Sequence, residues 1–231
     1  MCYTFRMEER EIKFDPEVFE IEGTVLKKYK GSYNYVEIPE GVTEIGERAF
    51  YHVYCVDGVK IPETVTKVGR LAFCHCHKLK SIIFPKSVTE IGDSQFYRCH
   101  SLKSITILGN VKVIGFEFFM ACHWLTSVTL PDSVEEIGQR AFFLCDELKR
   151  FTLPSSLKII GKEAFTGSGL TSIYIPSTVE KIEKCAFSGC DNLPRISCEA
   201  KQKPEGWEEY WIDEPPWAGK TKALWGSKKK K

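Results

Sequence analysis

Apolar residues recur along this chain in a fixed order with a period near 23. The clearest column is aromatic: Phe50, Phe73, Phe96, Phe119, Phe142, Phe165 and Phe187 follow one another at intervals of 23 residues, the last interval being 22. About eleven residues before each Phe stands a proline followed by an apolar-x-x-apolar-Gly run, as in Pro62, Val65, Val68 and Gly69, or Pro131, Val134, Ile137 and Gly138. A unit this small cannot bury its own apolar face, so the pattern describes a solenoid whose core is built by stacking copies.

Each unit closes with a short alternating run of β-branched or aromatic residues: Val36 to Ile38, Val59 to Ile61, Ile82 to Phe84, Ile105 to Ile107, Val128 to Leu130, Phe151 to Leu153, Ile173 to Ile175 and Ile196 to Cys198. These eight runs read as strands of one parallel sheet. The proline that follows lacks an N–H for the ladder and stops the strand; Leu108, next to Gly109, replaces it once. Gly46, Gly69, Gly92, Gly115, Gly138 and Gly161 mark either a tight turn with positive φ or a close approach of backbones, with Glu183 at that place in the last unit. From the glycine onward the reading expects a turn's worth of helix, as in Glu47 to Tyr51 or Gln139 to Leu144, held by docking. The expected fold is an α/β solenoid with one parallel sheet and short helical turns over residues 36–198. An N-terminal cap covers 1–35, and an aromatic C-terminal cap with a Lys-rich tail covers 199–231.

Both ends of such a stack need covering. Phe14, Val18, Phe19, Ile21, Val25, Leu26 and Tyr29 are candidates for the first cap, with Gly23 and Gly31 as turns; Trp207, Tyr210, Trp211, Trp217 and Trp225, interspersed with Pro204, Pro215 and Pro216, form the second. Clustered tryptophans can also serve as a binding hot spot, but an irregular segment needs large side chains simply to cover a core.

Cys76, Cys99, Cys122, Cys145 and Cys190 stand three residues after the repeat Phe, with Ser168 at that offset in the sixth unit. One thiol per unit reads as core packing in a reducing compartment, ahead of a disulfide ladder. Serine there would then put a hydroxyl in an apolar column, at a cost on the order of 1–3 kcal/mol without a partner, and alanine would be milder. His77, His100 and His123 follow the ladder cysteines, Asp146 and Asp191 hold the matching places later, and His52 and His75 lie two residues after their Phe. Phe73-Cys74-His75-Cys76-His77 has the residue types of a zinc site but not the usual spacing. The column reads as polar groups bonding local backbone, with a site across units, such as Cys76 with His77 and His100, as the alternative.

The runs VTEIGERAF, VTEIGDSQF, VEEIGQRAF and LKIIGKEAF, followed in most units by a Cys, a Leu and a strand ending in Pro, resemble the BspA-like, or Treponema-type, leucine-rich repeat family. The resemblance covers about 36–198. The segments FEIEGTVLKKYKGSYNYVEIPEGV and GWEEYWIDEPPWAGKTKALWG are similar to the family's lead-in and closing segments. It implies a right-handed solenoid with a parallel sheet on one side, commonly secreted or surface-attached, in bacteria, and acting in adhesion or protein binding.

A net charge of +1 argues against a dedicated nucleic-acid binder, leaving only the Lys228 to Lys231 tail, with Trp225 nearby, as a weak nonspecific contact. No stretch approaches the length of a membrane span. The opening MCYTFRMEEREIKF carries charges where a signal peptide needs an apolar run, which places the chain as written in the cytoplasm; it would be secreted or on the cell surface if a leader had been removed. No nucleophile elbow, P-loop, dinucleotide fingerprint or H-E-x-x-H motif occurs, and each candidate nucleophile belongs to a repeating column, so neither an enzyme nor a cofactor is expected. The expected function is binding of a protein or cell-surface macromolecule along an extended face, with a structural surface-display role as the alternative. Lys80, Lys103, Thr126, Lys149 and Thr171 flank the strands in one column; Ile83, Thr106, Thr129, Thr152 and Tyr174 alternate with buried positions in the next and should point outward.

Overall fold

The computed structural model describes residues 16–213 and 221–228. Phe14, Pro215, Pro216, Trp217 and Lys229 to Lys231 lie outside them. Each repeat forms one coil, and successive coils are joined by two parallel ladders on different sides. On the strand face, Tyr35–Glu37, Gly58–Lys60, Ser81–Phe84, Ser104–Ile107 and Ser127–Thr129 pair as one five-stranded sheet. Its register stacks like on like, Val36 against Val59, Val59 against Ile82, Ile82 against Ile105 and Ile105 against Val128. Alternation along each strand then turns one column inward and its neighbours outward.

The single continuous sheet expected from the repeat does not form. Phe151 to Leu153 is not a strand; a lone bridge from Arg150 to Ser172 links this coil to the next. Where coils two to four send the residue-80 column's amide back one coil, as in Lys103 N–H to Lys80 O, the Lys149 N–H instead turns back to Glu147 O at 2.9 Å. The sheet stops there and resumes as Ile173–Ile175, Arg195–Cys198 and Lys222–Leu224. Val128 and Leu130, next to the interruption, are half-exposed where their equivalents in the neighbouring coils are buried.

The second ladder lies in the Val-x-x-Ile-Gly segments, where two residues per coil pair in parallel. Val25–Tyr29, Glu44–Ile45, Lys67–Val68 and Glu90–Ile91 form one run, with Phe19–Glu22 antiparallel at its start; Val113–Ile114, Glu136–Ile137, Ile159–Ile160 and Lys181–Ile182 form the other. The break falls where Leu108 and Gly109 replace proline and its neighbour. Leu108 N–H, which a proline would lack, bonds Phe84 O at 3.0 Å. Gly109 then passes so close to Val88 O that a Cβ would sit 1.7 Å from it.

The expected helical turns are also absent: among the described residues the one helical element is a 3-10 turn at Pro16–Val18. Residues two before and two after each Phe have left-handed backbone, as in Arg48 and His52, Leu71 and His75, Ser94 and Arg98, or Arg140 and Leu144, with φ of 53 to 60°. Two left-handed residues four apart cannot belong to a right-handed helix. Amides alternate instead: Arg48, Phe50 and His52 donate to Arg70, Ala72 and Cys74 of the next coil, while Ala49, Tyr51 and Val53 close turns within their own. The fold is therefore an all-β solenoid with four separate sheets, not an α/β solenoid with one parallel sheet. A left-handed non-glycine residue costs roughly 1–2 kcal/mol, and here hydrogen bonds to the next coil offset it. The glycine after each Val-x-x-Ile serves close approach, since a Cβ on Gly69 would lie 2.5 Å from Glu47 N and one on Gly92 2.7 Å from Arg70 N.

The Phe column is a continuous ring stack. Centroids lie 5.0 to 5.8 Å apart from Phe50 to Phe187, and the last two pairs are coplanar to 1°. Tyr29 extends the stack upward at 5.2 Å, and Trp211 closes it edge-on at 87°. Each such pair contributes about 0.5–1.5 kcal/mol beyond area burial. Leu26 and Tyr29 are buried while Ile21 is exposed. At the other end Trp207 and Trp211 are buried, Trp225 packs on both, and Trp207 Nε1–H bonds Val179 O at 3.1 Å. The tryptophans thus cover core, and Tyr210 is left exposed.

Candidate interaction surface

On the strand face the five-stranded sheet brings Ile83, Thr106 and Thr129 into direct register, with Ser81, Ser104 and Ser127 in register two positions earlier. Ile83 is 58% exposed and Thr129 is exposed; Thr106 is half-buried. The result is an uncharged track of small hydroxyls with one isoleucine. The serine column is not among the expected face residues, although its 23-residue spacing is plain in the chain. Thr152 is exposed but sits at the interruption, and Tyr174 belongs to the three-stranded sheet, opposite Ser197. The proposed face is therefore divided between two sheets.

Along the flank, Lys80 Nζ lies 2.7 Å from Asp57 Oδ2 and Lys149 Nζ 2.8 Å from Glu147 Oε2, while Lys103 is exposed. Thr126 and Thr171 hydroxyls each donate at 3.0 Å to the carbonyl one coil back, at Lys103 and Lys149. These threonines fasten coil to coil.

The thiol ladder has a directional role. Cys76, Cys99, Cys122, Cys145 and Cys190 point their Sγ atoms at Phe50, Phe73, Phe96, Phe119 and Phe165 carbonyls, at 3.0 to 3.3 Å. All five of those carbonyls already accept an amide from within their own coil at 3.0 to 3.3 Å, Cys99 N–H to Phe96 O among them, so the thiol supplies a second donor. Every described cysteine is a free thiol. Burial pushes Cys74 and Cys190 up to about 11 and Cys198 to about 12, and drives Cys99 and Cys145 well above the ordinary range. Protonated thiols can donate but are poor nucleophiles.

All five histidines of the chain gather on the turn edge. His52 stacks on His75 at 4.3 Å and His77 on His100 at 4.7 Å, with His123 next at 5.7 Å. Tyr51 and Tyr54, both more than 40% exposed, pack edge-on or tilted against them, and Tyr54 hydroxyl bonds His52 Nδ1. Loss of solvent, and then the neighbouring imidazoles and Arg98, bring His75 down to about 4; His77 and His100 are lowered for the same leading reason. Beside one another and the tyrosines Tyr51, Tyr54 and Tyr97, the column meets Asp146, whose Oδ2 accepts from His123 Nδ1–H at 2.8 Å. Cys76 points inward while His77 points outward, and among the described residues no three His, Cys, Asp or Glu side chains are grouped to hold a metal ion.

The model of the BspA type leucine-rich repeat region matches residues 19–126 and 112–204, in six copies. The chain belongs to this family. Among solved structures it is similar to a leucine-rich cell surface protein of Faecalibacterium prausnitzii A2-165, at 32% identity and a TM-score of 0.69 over 80% of this chain and 54% of that one. It thus spans about half that protein's length. The T. pallidum leucine-rich repeat protein matches at 30% identity and a TM-score of 0.65, covering 79% of this chain and 80% of its own. A leucine-rich repeat protein of Eubacterium ventriosum matches at 28% identity and 0.55, over 64% and 47%. No curated protein matches this chain.

Proposed function

We propose that this chain is a non-catalytic binding module that engages a protein along its strand face. The reading rests on the in-register track of Ser81, Ser104 and Ser127 beside Ile83, Thr106 and Thr129. These six side chains are uncharged, and they lose little rotamer freedom when covered. Lys80, Lys103 and Lys149 border it and would set orientation and on-rate more than affinity. Thr126, Thr152, Thr171 and Tyr174 complete the face, the last beyond the interruption. Similarity to a protein described as a cell surface protein supports secretion or surface display, which fractionation of cells expressing the full reading frame would test. The binding test is Thr106→Arg with Thr129→Arg, and separately Lys80→Glu with Lys103→Glu and Lys149→Glu, measured against a partner first isolated by crosslinking and then purified. The arginine pair should abolish binding, and the charge reversal should weaken it about tenfold through the on-rate. Unchanged affinity in both variants removes this face from consideration.

A further inference from the structure

We propose that the histidine–tyrosine edge is a second binding surface, for an acidic polypeptide segment, engaged in mildly acidic medium. It is independent of the strand-face reading. The repeat does not demand these residues: two residues after the Phe, where His52 and His75 stand, the sixth and seventh coils carry Gly167 and Gly189, and four after it, where His77, His100 and His123 stand, they carry Gly169 and Asp191, yet the Phe rings stack equally well. The imidazole faces are occupied by one another, while His52 Nδ1 is bonded to the Tyr54 hydroxyl and His75 Nδ1 lies 3.3 Å from His77 Nε2, so the remaining ring nitrogens, both of His100 among them, are what the column offers to a ligand. A flat sugar ring would need free faces; a carboxylate needs N–H donors.

The molecule already displays the contact. Asp146 stands one coil below His123, in the column that His100 and His77 continue, and its carboxylate takes the imidazole N–H at 2.8 Å. In the turn segments around these histidines the chain carries Arg48, Arg70, Lys78 and Arg98 with Glu47, Asp93, Glu117, Asp146 and Glu147, and Arg98 acts on His75, His77 and His100. Asp93 Oδ1 is already bonded to Phe116 N–H, Glu117 lies 3.8 Å from Arg140, Asp146 is taken by His123 and Glu147 by Lys149, while Glu47 lies 3.8 Å from Arg48. Thiol Cys74 is held protonated by burial and stays neutral.

Loss of solvent, and then the neighbouring imidazoles, bias His75, His77 and His100 toward the neutral form in the free protein, and a second proton on either stacked pair would place like charges about 4 to 5 Å apart. A carboxylate brought against them favours the charged form, so binding takes up protons and tightens as pH falls below about 6.5. The gain ends near pH 4, where the partner's own carboxylates are neutralised.

Fluorescein-labelled poly-L-glutamate and, separately, dextran sulfate would be titrated by anisotropy into the full chain at pH 7.5 and 5.5, at fixed salt. Poly-glutamate should bind about tenfold more tightly at pH 5.5, the sum of a few exposed charge pairs. His77→Gln with His100→Gln should remove the gain, and His77→Arg with His100→Arg should bring tight binding to pH 7.5. Equal binding at the two pH values, a gain that survives the glutamine pair, or dextran sulfate bound more tightly than poly-glutamate would overturn the proposal.

Discussion

Replacing Cys122 tests whether the thiol ladder is a hydrogen-bonding device or merely a column of small apolar groups. Cys122 has no exposed surface, and its Sγ lies 3.0 Å from Phe96 O, which also receives Cys99 N–H at 3.0 Å. Alanine deletes the sulfur and the bond together. The bond is worth about 1 kcal/mol, and a void the size of one heavy atom costs roughly 1 kcal/mol more, so Cys122→Ala should lose about 2 kcal/mol. Because the carbonyl keeps its amide donor, the loss stops short of a fully orphaned acceptor. Serine keeps a donor aimed at the same carbonyl and should lose only about 1 kcal/mol, through its smaller apolar volume. Ser168 already occupies this place in the sixth coil, with its Oγ 3.3 Å from Cys190 Sγ. This order reverses the one expected from an apolar column, in which serine is the harsher change. Urea denaturation followed by circular dichroism and by tryptophan emission would measure both variants, free energies being compared only if the two probes coincide, since repeat stacks can unfold in parts. An alanine variant more stable than the serine variant would refute the donor role.

Three further outcomes follow from the coil geometry. Gly69→Ala should destabilise by about 1–3 kcal/mol, because its Cβ would meet the Glu47 backbone at 2.5 Å and stacked coils yield little; a thermal melt unchanged from wild type would contradict the close-approach account. At Leu71, with φ of 58°, glycine should be near neutral and valine worse than glycine by roughly 1–2 kcal/mol, and equal stabilities would show that the left-handed backbone carries no strain. His75 binds its proton less readily folded than unfolded, so the unfolded chain holds more protons between about pH 6.5 and 4 and stability falls as pH drops through that window. His75→Gln should flatten this part of the stability–pH curve, by a modest amount for a partly exposed group, and an identical curve would remove His75 as a source.

Period, register and core were legible in the chain because they follow from spacing alone. A Phe every 23 residues, an inward β-branched residue in each closing run and a thiol at a constant offset must align once coils stack, and each does. Tyr29, Trp207 and Trp211, large aromatic side chains outside the period, are buried at the two ends of the stack. What tertiary structure decided is where each backbone amide goes. Glu47 to Tyr51 reads locally as helix, but the next coil offers carbonyls to alternate amides, and those bonds draw Arg48 and His52 into left-handed backbone. The second ladder pairs only two residues per coil, too few for alternation to show along the chain.

The sheet interruptions are likewise relations between coils. One of them, at Leu108, has a visible trace, because a leucine in the proline column restores an N–H; the other depends on Lys149 N–H choosing Glu147 over the preceding coil. The same holds for the surfaces. Outward direction at Thr106 and Thr129 follows from alternation and could be read in advance, whereas the meeting of His52 with His75 and His77 with His100 required the stack itself. Residues 23 apart become neighbours at about 5 Å only after coiling. Composition and spacing therefore determine which side chains share a column, and the hydrogen bonds between coils decide what backbone carries them and what each column can bind.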